Sequence, residues 1–385
     1  MRGRMDEKGM STMIGAIIVA AVVMSMYMAY ILYGVPAFCS AVEKRAFIRV
    51  ETQFIEMDKE IRATVADGVP RAVEISMGGA YPVVPFAPTP PGYSGAIQTL
   101  QGKVEIDNIN VTSVSYIAPL TNPETTLSQN CSNLEYIPSY NYLQAPCVYY
   151  LYGMVFLAYK GKCTYLYGTF IQNHTIYLPL LYGTATYSGN VPCVLHLYPM
   201  SAGGDGMTVT NIAGKNIVIR LYNVYMDQAN VNQTFWQDVL SPYLPTGATV
   251  TYANDTLTVT LPPGNYTIVG GIVSLSPEER LKPDFLLPMS PLVTSTSPTA
   301  VAVKAVDKFG NPVPDAKVTF TPNGTYVANP TSLQPLSYTA TPIVEYTSPN
   351  GIASCAVKAG TTVGWVVASI RSGATTYELP FTILP

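Results

Sequence analysis

Residues 10–35, MSTMIGAIIVAAVVMSMYMAYILYGV, carry no charge, and none follows until Glu43. Roughly 20 apolar residues in a helix cross the ~30 Å hydrocarbon layer of a bilayer, so this run is long enough to span one. The apolar stretch of a removable signal peptide is shorter, ~7–15 residues. The run therefore predicts a transmembrane helix over 10–35, with Gly34 and Pro36 predicting its end. Charge counts leave its direction open: Arg2, Arg4 and Lys8 precede it, and Lys44, Arg45 and Arg49 follow it.

Residues 43–67 read as a helical extension. Phe47, Val50, Phe54, Met57 and Ile61 recur at spacings of three and four, forming one apolar stripe with charged residues opposite. Two readings stand. The stripe can seal against identical helices of neighbouring subunits, or it can lie on the chain's own β-domain. Gly68 and Pro70 mark the end of the helix.

Beyond residue 70 the pattern changes. Hydrophobic residues make up 48% of the chain and charged residues only 12%, which excludes an intrinsically disordered ectodomain. Between 108 and 204 the only charges are Glu124, Glu135, Lys160 and Lys162. Val, Thr, Tyr and Ile runs broken by Gly, Pro and Asn predict strands and hairpins at 104–117, 147–159, 164–170, 216–226 and 256–273. One helix is predicted at 233–244, with Trp236, Val239 and Leu240 on one face. The fold class expected is mainly β: a membrane-spanning helix with its extension, an antiparallel β-sandwich-like ectodomain over 70–285, and a terminal sandwich.

Chemistry is sparse. A net charge of −3 gives no basic field, so nucleic acid is not an expected partner. The two histidines, His174 and His196, read as a solvated loop residue and a strand residue. Among the motifs sought, a nucleophile elbow, a zinc-protease helix and a phosphate-binding loop are all missing, and Gly92-Tyr93-Ser94-Gly95 is one residue short of the first. No enzyme activity, cofactor or metal is expected. Fifteen tyrosines fall between 81 and 190. They read chiefly as rings packed on a sheet with wet hydroxyls, and secondarily as a sugar-binding or self-association surface.

Cysteines and sequons point to an outside location. Cys131, Cys147, Cys163 and Cys193 are disulfide candidates with three open connectivities. Cys355 reads as a small core residue, and Cys39 sits at the membrane exit. Asn110, Asn130, Asn173, Asn232, Asn254, Asn265 and Asn323 each open an N-x-Ser/Thr sequon. All seven follow the apolar run, which favours an inside N-terminus and extracellular β-domains.

Three stretches carry resemblances. Lys8, Gly9 and Met10 followed by the apolar run resemble the class III signal of archaeal type IV pilin-like proteins. That resemblance implies a leader over 1–9 and a prepilin-type signal peptidase cutting between Gly9 and Met10. Ile14 stands where bacterial pilins often have an acidic residue. Residues 76–99, 235–240 and 254–273 look like landmarks of large pilin-like surface proteins of archaea, which imply an Ig-like module after a β-rich ectodomain. AVAVKAVDKFGNPVPDAKVTFTP (300–322) with SPNGIASCAVKAG (348–360) is similar to invasin-type (Big-1) bacterial Ig-like domains, implying such a module over 298–385. The expected function is a non-enzymatic, single-pass cell-surface protein for adhesion or envelope structure, with an envelope or surface glycan as ligand. The alternative is a subunit, or minor subunit, of a type IV pilus-like filament, a homo-oligomer.

Overall fold

The computed structural model describes residues 7–88, 90–112, 126–204, 206–212, 214–278, 280–294, 299–328, 338–372 and 375–384. Residues 1–6 of the expected leader lie outside this set. Lys8, Gly9 and Met10 fall in the first turns of the opening helix, where side chains are not described.

Helix α1 (Glu7–Ala29), a π turn (Tyr30–Gly34) and helix α2 (Val35–Asp67) follow without interruption. At 1.5 Å per residue they make a continuous rod about 90 Å long. The expected stop at Gly34 and Pro36 is thus corrected. Proline lacks an N–H and its ring obstructs the usual i−4 bond, and the wider π turn absorbs this. Within it the Val35 N–H reaches the Tyr30 carbonyl five residues back. The rod ends where Gly68, at φ 70°, donates its N–H to the Thr64 carbonyl. A left-handed residue there closes the last turn, a conformation glycine adopts without a Cβ penalty.

The two halves of the rod meet different surroundings. Every described side chain from Met13 to Tyr30 is exposed. In α2 the buried positions run Val35, Cys39, Glu43, Phe47, Val50, Phe54, Met57, Ile61 and Val65, with Asp58 and Thr64 beside them. Phe47, Val50, Phe54, Met57 and Ile61 pack with Ile75, Ile97, Leu134, Tyr136, Val148, Tyr150 and Leu197. The stripe belongs to the subunit's own core, and the reading of it as a seam between subunits is withdrawn.

The ectodomain is β-sandwich-like, as expected, with its 16 strands joined in one hydrogen-bonded network. At its centre, strands Ser94–Asp107 and Thr126–Ser139 pair in unbroken antiparallel register from Ser94↔Ser139 to Asp107↔Thr126. The expectation of purely antiparallel pairing is corrected where Asn265–Ser274 runs parallel to Thr175–Tyr182 and at the isolated parallel bridge Gly161↔Ala229. The hairpin of Cys147–Leu151 and Met154–Tyr159 turns at Tyr152 and Gly153, both at positive φ. Its first strand is buried along its whole length. Val148 and Tyr150 enter the core beneath α2, whereas Cys147, Tyr149 and Leu151 enter the core on the other face. That second core is closed by helix α3 (Gln233–Leu240), whose Trp236 and Leu240 are buried. Asn232 caps α3 by accepting from the Phe235 N–H at 2.9 Å.

The terminal module is a two-sheet sandwich. It begins earlier than residue 298, because strand Phe285–Pro288 pairs with Thr299–Val306 and Val293–Thr294 pairs with Thr375–Ile383. Residues 285–294 therefore belong to the module and not to the ectodomain or a linker. Strand alternation divides the two cores here: Phe285 points into the ectodomain, Leu286 into the module.

Phe54 is fully buried, with its ring edge-on to Tyr136 at 6.4 Å. Truncating a buried phenylalanine to alanine costs about 3–5 kcal/mol. Phe54→Ala in the full chain is expected to lower ectodomain stability by this amount, read by denaturant titration in detergent. An unchanged midpoint would return the stripe to an intermolecular role.

Candidate functional site

Low charge makes each buried polar group conspicuous, and four sets of them organise the surface. The first is in the opening turns of α2, just past the π turn. Glu43 lies four residues before Phe47 on the apolar stripe and is fully buried. Its carboxylate accepts from the Tyr81 hydroxyl and from the N–H groups of Asn141 (2.7 Å), Tyr142 (3.0 Å) and Leu143 (2.6 Å). The Asn141 amide donates in turn to the Tyr81 hydroxyl at 3.2 Å. Tyr81, Tyr93, Tyr140 and Tyr142 form an edge-to-face cluster around it. Burial, and then the Glu43 hydrogen bond, raise the Tyr81 hydroxyl well above the ordinary tyrosine range. A carboxylate fed by three backbone donors is a strong anchor.

The second set lies further along α2. Asp58 and Arg62, one helical turn apart, form an ion pair at 2.7 Å, and Tyr150 donates to the same carboxylate. Burial pushes the Asp58 carboxyl up, and the Arg62 guanidinium opposes this. Arg62 Nη2 donates to the Gly153 and Thr169 carbonyls, both at 3.0 Å. Arg62 also lines a cleft of about 370 Å³ with Tyr165, Tyr167, Gln172, Tyr177 and Tyr243. Lys59 Nζ stands 5.8 Å from the Tyr167 ring centre, and the Arg62 guanidinium 6.0 Å from that of Tyr177. Flat aromatic faces beside a guanidinium and an amide suit the alternating apolar and hydroxylated faces of a sugar ring.

The third set joins the two β units. The turn in AVDKFGNPVP carries Phe309 into the ectodomain core, where it is fully buried. A Cβ at Gly270 would stand 2.9 Å from the Phe309 ring, so only glycine allows this approach. Asn311 Nδ2 donates to Ser201 Oγ and the Gly270 carbonyl, both at 2.7 Å, and its Oδ1 accepts from the Gly204 N–H at 3.0 Å. Lys308 Nζ donates to the Ser128 carbonyl at 2.9 Å. Asp307 holds the turn by accepting from the Phe309 and Asn311 N–H groups.

The fourth set comprises the cysteines. All six, including Cys131, Cys147, Cys163 and Cys193, are free thiols, which corrects the expected bridges. Cys147 and Cys163 both face Ala158 from opposite sides. Two strand spacings, about 10 Å, separate them, beyond the ~7 Å limit for bridging. Cys193 lies in the core under α2, whereas Cys131 and Cys147 lie in the opposite core. They act as small apolar residues. Burial pushes Cys131, Cys147 and Cys163 up to about 12 and Cys193 to about 11. Cys355 is likewise buried, in the core of the terminal module.

The seven sequon asparagines, Asn110, Asn130, Asn173, Asn232, Asn254, Asn265 and Asn323, are all exposed. His174 is exposed and stacks on Tyr266 at 5.2 Å, and His196 is exposed on strand Cys193–Ser201. Among the described residues, no three His, Cys, Asp or Glu side chains gather as a metal-binding group.

Sequence reasoning passed over Glu43, Asp58, Arg62 and Asn311. The first two had a visible signal: each is an acid on or beside an otherwise apolar stripe. Arg62, at i+4 from Asp58, completes a standard helical ion pair. Asn311 read only as a turn residue, and its contacts span more than 40 positions in sequence, which no local pattern reveals.

No protein-family profile matches the chain, and no curated protein does. Among solved structures, the D0-D1 domain of Intimin aligns at 13% identity and a TM-score of 0.20, covering 73% of this chain and all of that one. Escherichia coli alpha-2-macroglobulin activated by porcine elastase aligns at 10% identity and a TM-score of 0.19. It covers 82% of this chain, which spans 33% of that protein. Likeness at this level carries no functional argument.

Two outcomes are expected from these geometries. Native protein should resist alkylation at its buried thiols, yet react fully on unfolding without reductant, as followed by intact mass. Any fraction needing reductant would reveal bridges. The second outcome concerns Asp307, which burial pushes up to about 6 from an ordinary 3.8. A raised folded pKa means the folded state binds the proton more tightly. Stabilisation is then complete below about 3.8 and is lost as pH rises through about 6. Asp284, also raised by burial, and Lys308 face the same turn. Acidification from pH 7 to 5 should stabilise the junction by on the order of 1–2 kcal/mol. Asp307→Asn should flatten this dependence in thermal melts, because the amide does not titrate, while its oxygen keeps the turn by accepting from the same two N–H groups.

Proposed function

We propose that this chain is a non-enzymatic, membrane-anchored cell-surface protein, with α1 crossing the bilayer and the β units outside it. The observation that carries the reading is the division of one continuous rod. Its first half is bare and apolar over a bilayer's thickness, and its second half is consumed by the ectodomain core. A bare apolar helix needs a solvent other than water. The exposed sequons agree with an outside position for the β units, and Lys8-Gly9-Met10 with processing by a prepilin-type signal peptidase.

The ligand class that fits the ectodomain is an envelope or surface glycan, seated in the tyrosine cleft beside Arg62. The terminal Ig-like module, fixed by the Phe309 turn, then acts as a rigid continuation of the ectodomain. A type IV pilus-like filament remains the second reading because one observation favours it: bare α1 can pack against copies of itself as readily as against lipid. In that case the seam is α1 and not the Phe47–Ile61 stripe.

Fractionation of sheared cells separates the two readings. The anchored reading expects the protein in the membrane fraction after shearing, with purified full chain retaining surface glycans and Tyr177→Ala weakening retention roughly three- to tenfold. Recovery in sheared filaments would establish the polymer instead. Recovery in neither fraction, as a free secreted protein, would remove both.

A further inference from the structure

Loop 81–93, Tyr-Pro-Val-Val-Pro-Phe-Ala-Pro-Thr-Pro-Pro-Gly-Tyr, contains no charged residue. Its tip leaves Val83 82% and Phe86 88% exposed, the largest exposures among the described large apolar side chains. An apolar tip of this kind is costly in water. The loop nevertheless lies against the membrane rod rather than projecting from the ectodomain. Tyr81, Val84 and Tyr93 pack with Val35 and Cys39 of α2, and Val83, Val84 and Pro85 border Tyr30, Gly34 and Phe38.

Several backbone groups at this tip do not depend on water. Pro82, Pro85 and Pro88 present no N–H. The Ala87 N–H is directed to the Val84 carbonyl. The Pro85 and Phe86 carbonyls accept from the hydroxyls of Tyr30 (3.0 Å) and Tyr27 (2.9 Å), two side chains of the apolar helix itself. Carbonyls bonded within the protein beneath exposed apolar side chains suit a segment that lies where water is scarce. The depth also agrees. From Met10 to Tyr30 the rod rises about 30 Å, one hydrocarbon thickness, which places Tyr27, Tyr30 and the loop tip at the boundary. Tyrosines are favoured at that level.

We propose that the tip of loop 81–93, through Val83 and Phe86, inserts into the interfacial layer of the leaflet that α1 exits, as a second membrane contact beside the spanning helix. The occupant is lipid: the tip continues the apolar surface of α1 and shares hydrogen bonds with it. This inference rests on the reading of α1 as a membrane span.

The test uses the full chain in phosphatidylcholine vesicles with Phe86→Trp as reporter, and Val83→Trp as a second should the first disturb the turn. Emission is taken as the difference from the parent chain, which carries Trp236 and Trp365. Val363→Trp, in the terminal module and 52% exposed, serves as the aqueous control. The expected result is at least an about twofold loss of the added emission with lipid brominated in the upper acyl chain, with little quenching by aqueous acrylamide. Quenching by acrylamide as strong as that of Val363→Trp overturns the proposal and leaves the spanning helix standing. Shielding from both quenchers also overturns it, because the tip is then covered by protein, such as a second copy. Release of the chain by alkaline washing overturns the membrane reading itself, and this proposal with it.

Discussion

Burial of one face of α2 in the ectodomain core is the contact on which the rest of the molecule depends. A helix of 33 residues with a single apolar stripe cannot remain straight and bare in water, and a 16-stranded sheet leaves one face of its centre uncovered without it. Phe47, Phe54, Met57 and Ile61 satisfy both requirements at once. Because α2 continues through the π turn into α1, the orientation of the whole β structure relative to α1 is set by that packing. Apolar contact alone permits sliding along the stripe, however. Glu43 at one end and the Asp58–Arg62 pair near the other fix the register, since their hydrogen-bond partners lie at single positions on the β-domain. Breaking either would strand a buried charge.

Placement of the few charges follows the same logic. Surface ion pairs contribute little, and those of the central ectodomain, Lys103–Glu105 and Arg220–Asp107, lie partly exposed on two neighbouring strands. The charges of α2 and of the terminal module stand where two elements must meet in one way only: Glu43 on loop 141–143, Arg62 on the 153 and 169 carbonyls, Asp307 beneath the junction turn. Buried hydroxyls do similar service. Tyr149 donates to Glu135 and Tyr152 to the Tyr222 carbonyl, so rings that fill the core also tie strands distant in sequence. The tyrosine abundance is therefore mostly structural. The half-buried rings around the Arg62 cleft are the part left available for a ligand.

The sequence made the periodic features legible. The apolar run, the stripe at Phe47–Ile61, the hairpin at 147–159 and helix α3 with Trp236 all follow from residue spacing, because period and burial are locally coupled. The misreadings share a different origin. Gly34 and Pro36 are breakers by propensity, but a π turn accommodates them within a rod whose second half is held by the β-domain. Four cysteines in a β-rich region suggest bridges, but bridging depends on which strands neighbour each other, and Cys147 and Cys163 flank a common strand. The parallel pairing of Thr175–Tyr182 with Asn265–Ser274 joins segments 90 residues apart, and nothing in either segment announces it. For the candidate site, Lys59 and Arg62 were visible as the charged side of the helix, whereas Tyr165, Tyr177 and Tyr243 come together only through topology.

The junction turn shows how a module motif acquires a second task. Within the terminal sandwich, Asp307, Gly310 and Asn311 form a turn whose internal bonds suffice to shape it. The ectodomain then uses the outward groups of that turn: Phe309 as an apolar plug, Asn311 as a three-bond clamp on Ser201, Gly204 and Gly270. A flexible tether would have let the module swing, and its position relative to the rod would then vary. A plugged junction at one end and a pinned helix at the other instead make rod, ectodomain and module mechanically continuous. Force or orientation applied at the module is then delivered to the start of α2, where Glu43 and Tyr81 fix the helix and loop 81–93 lies against the π turn.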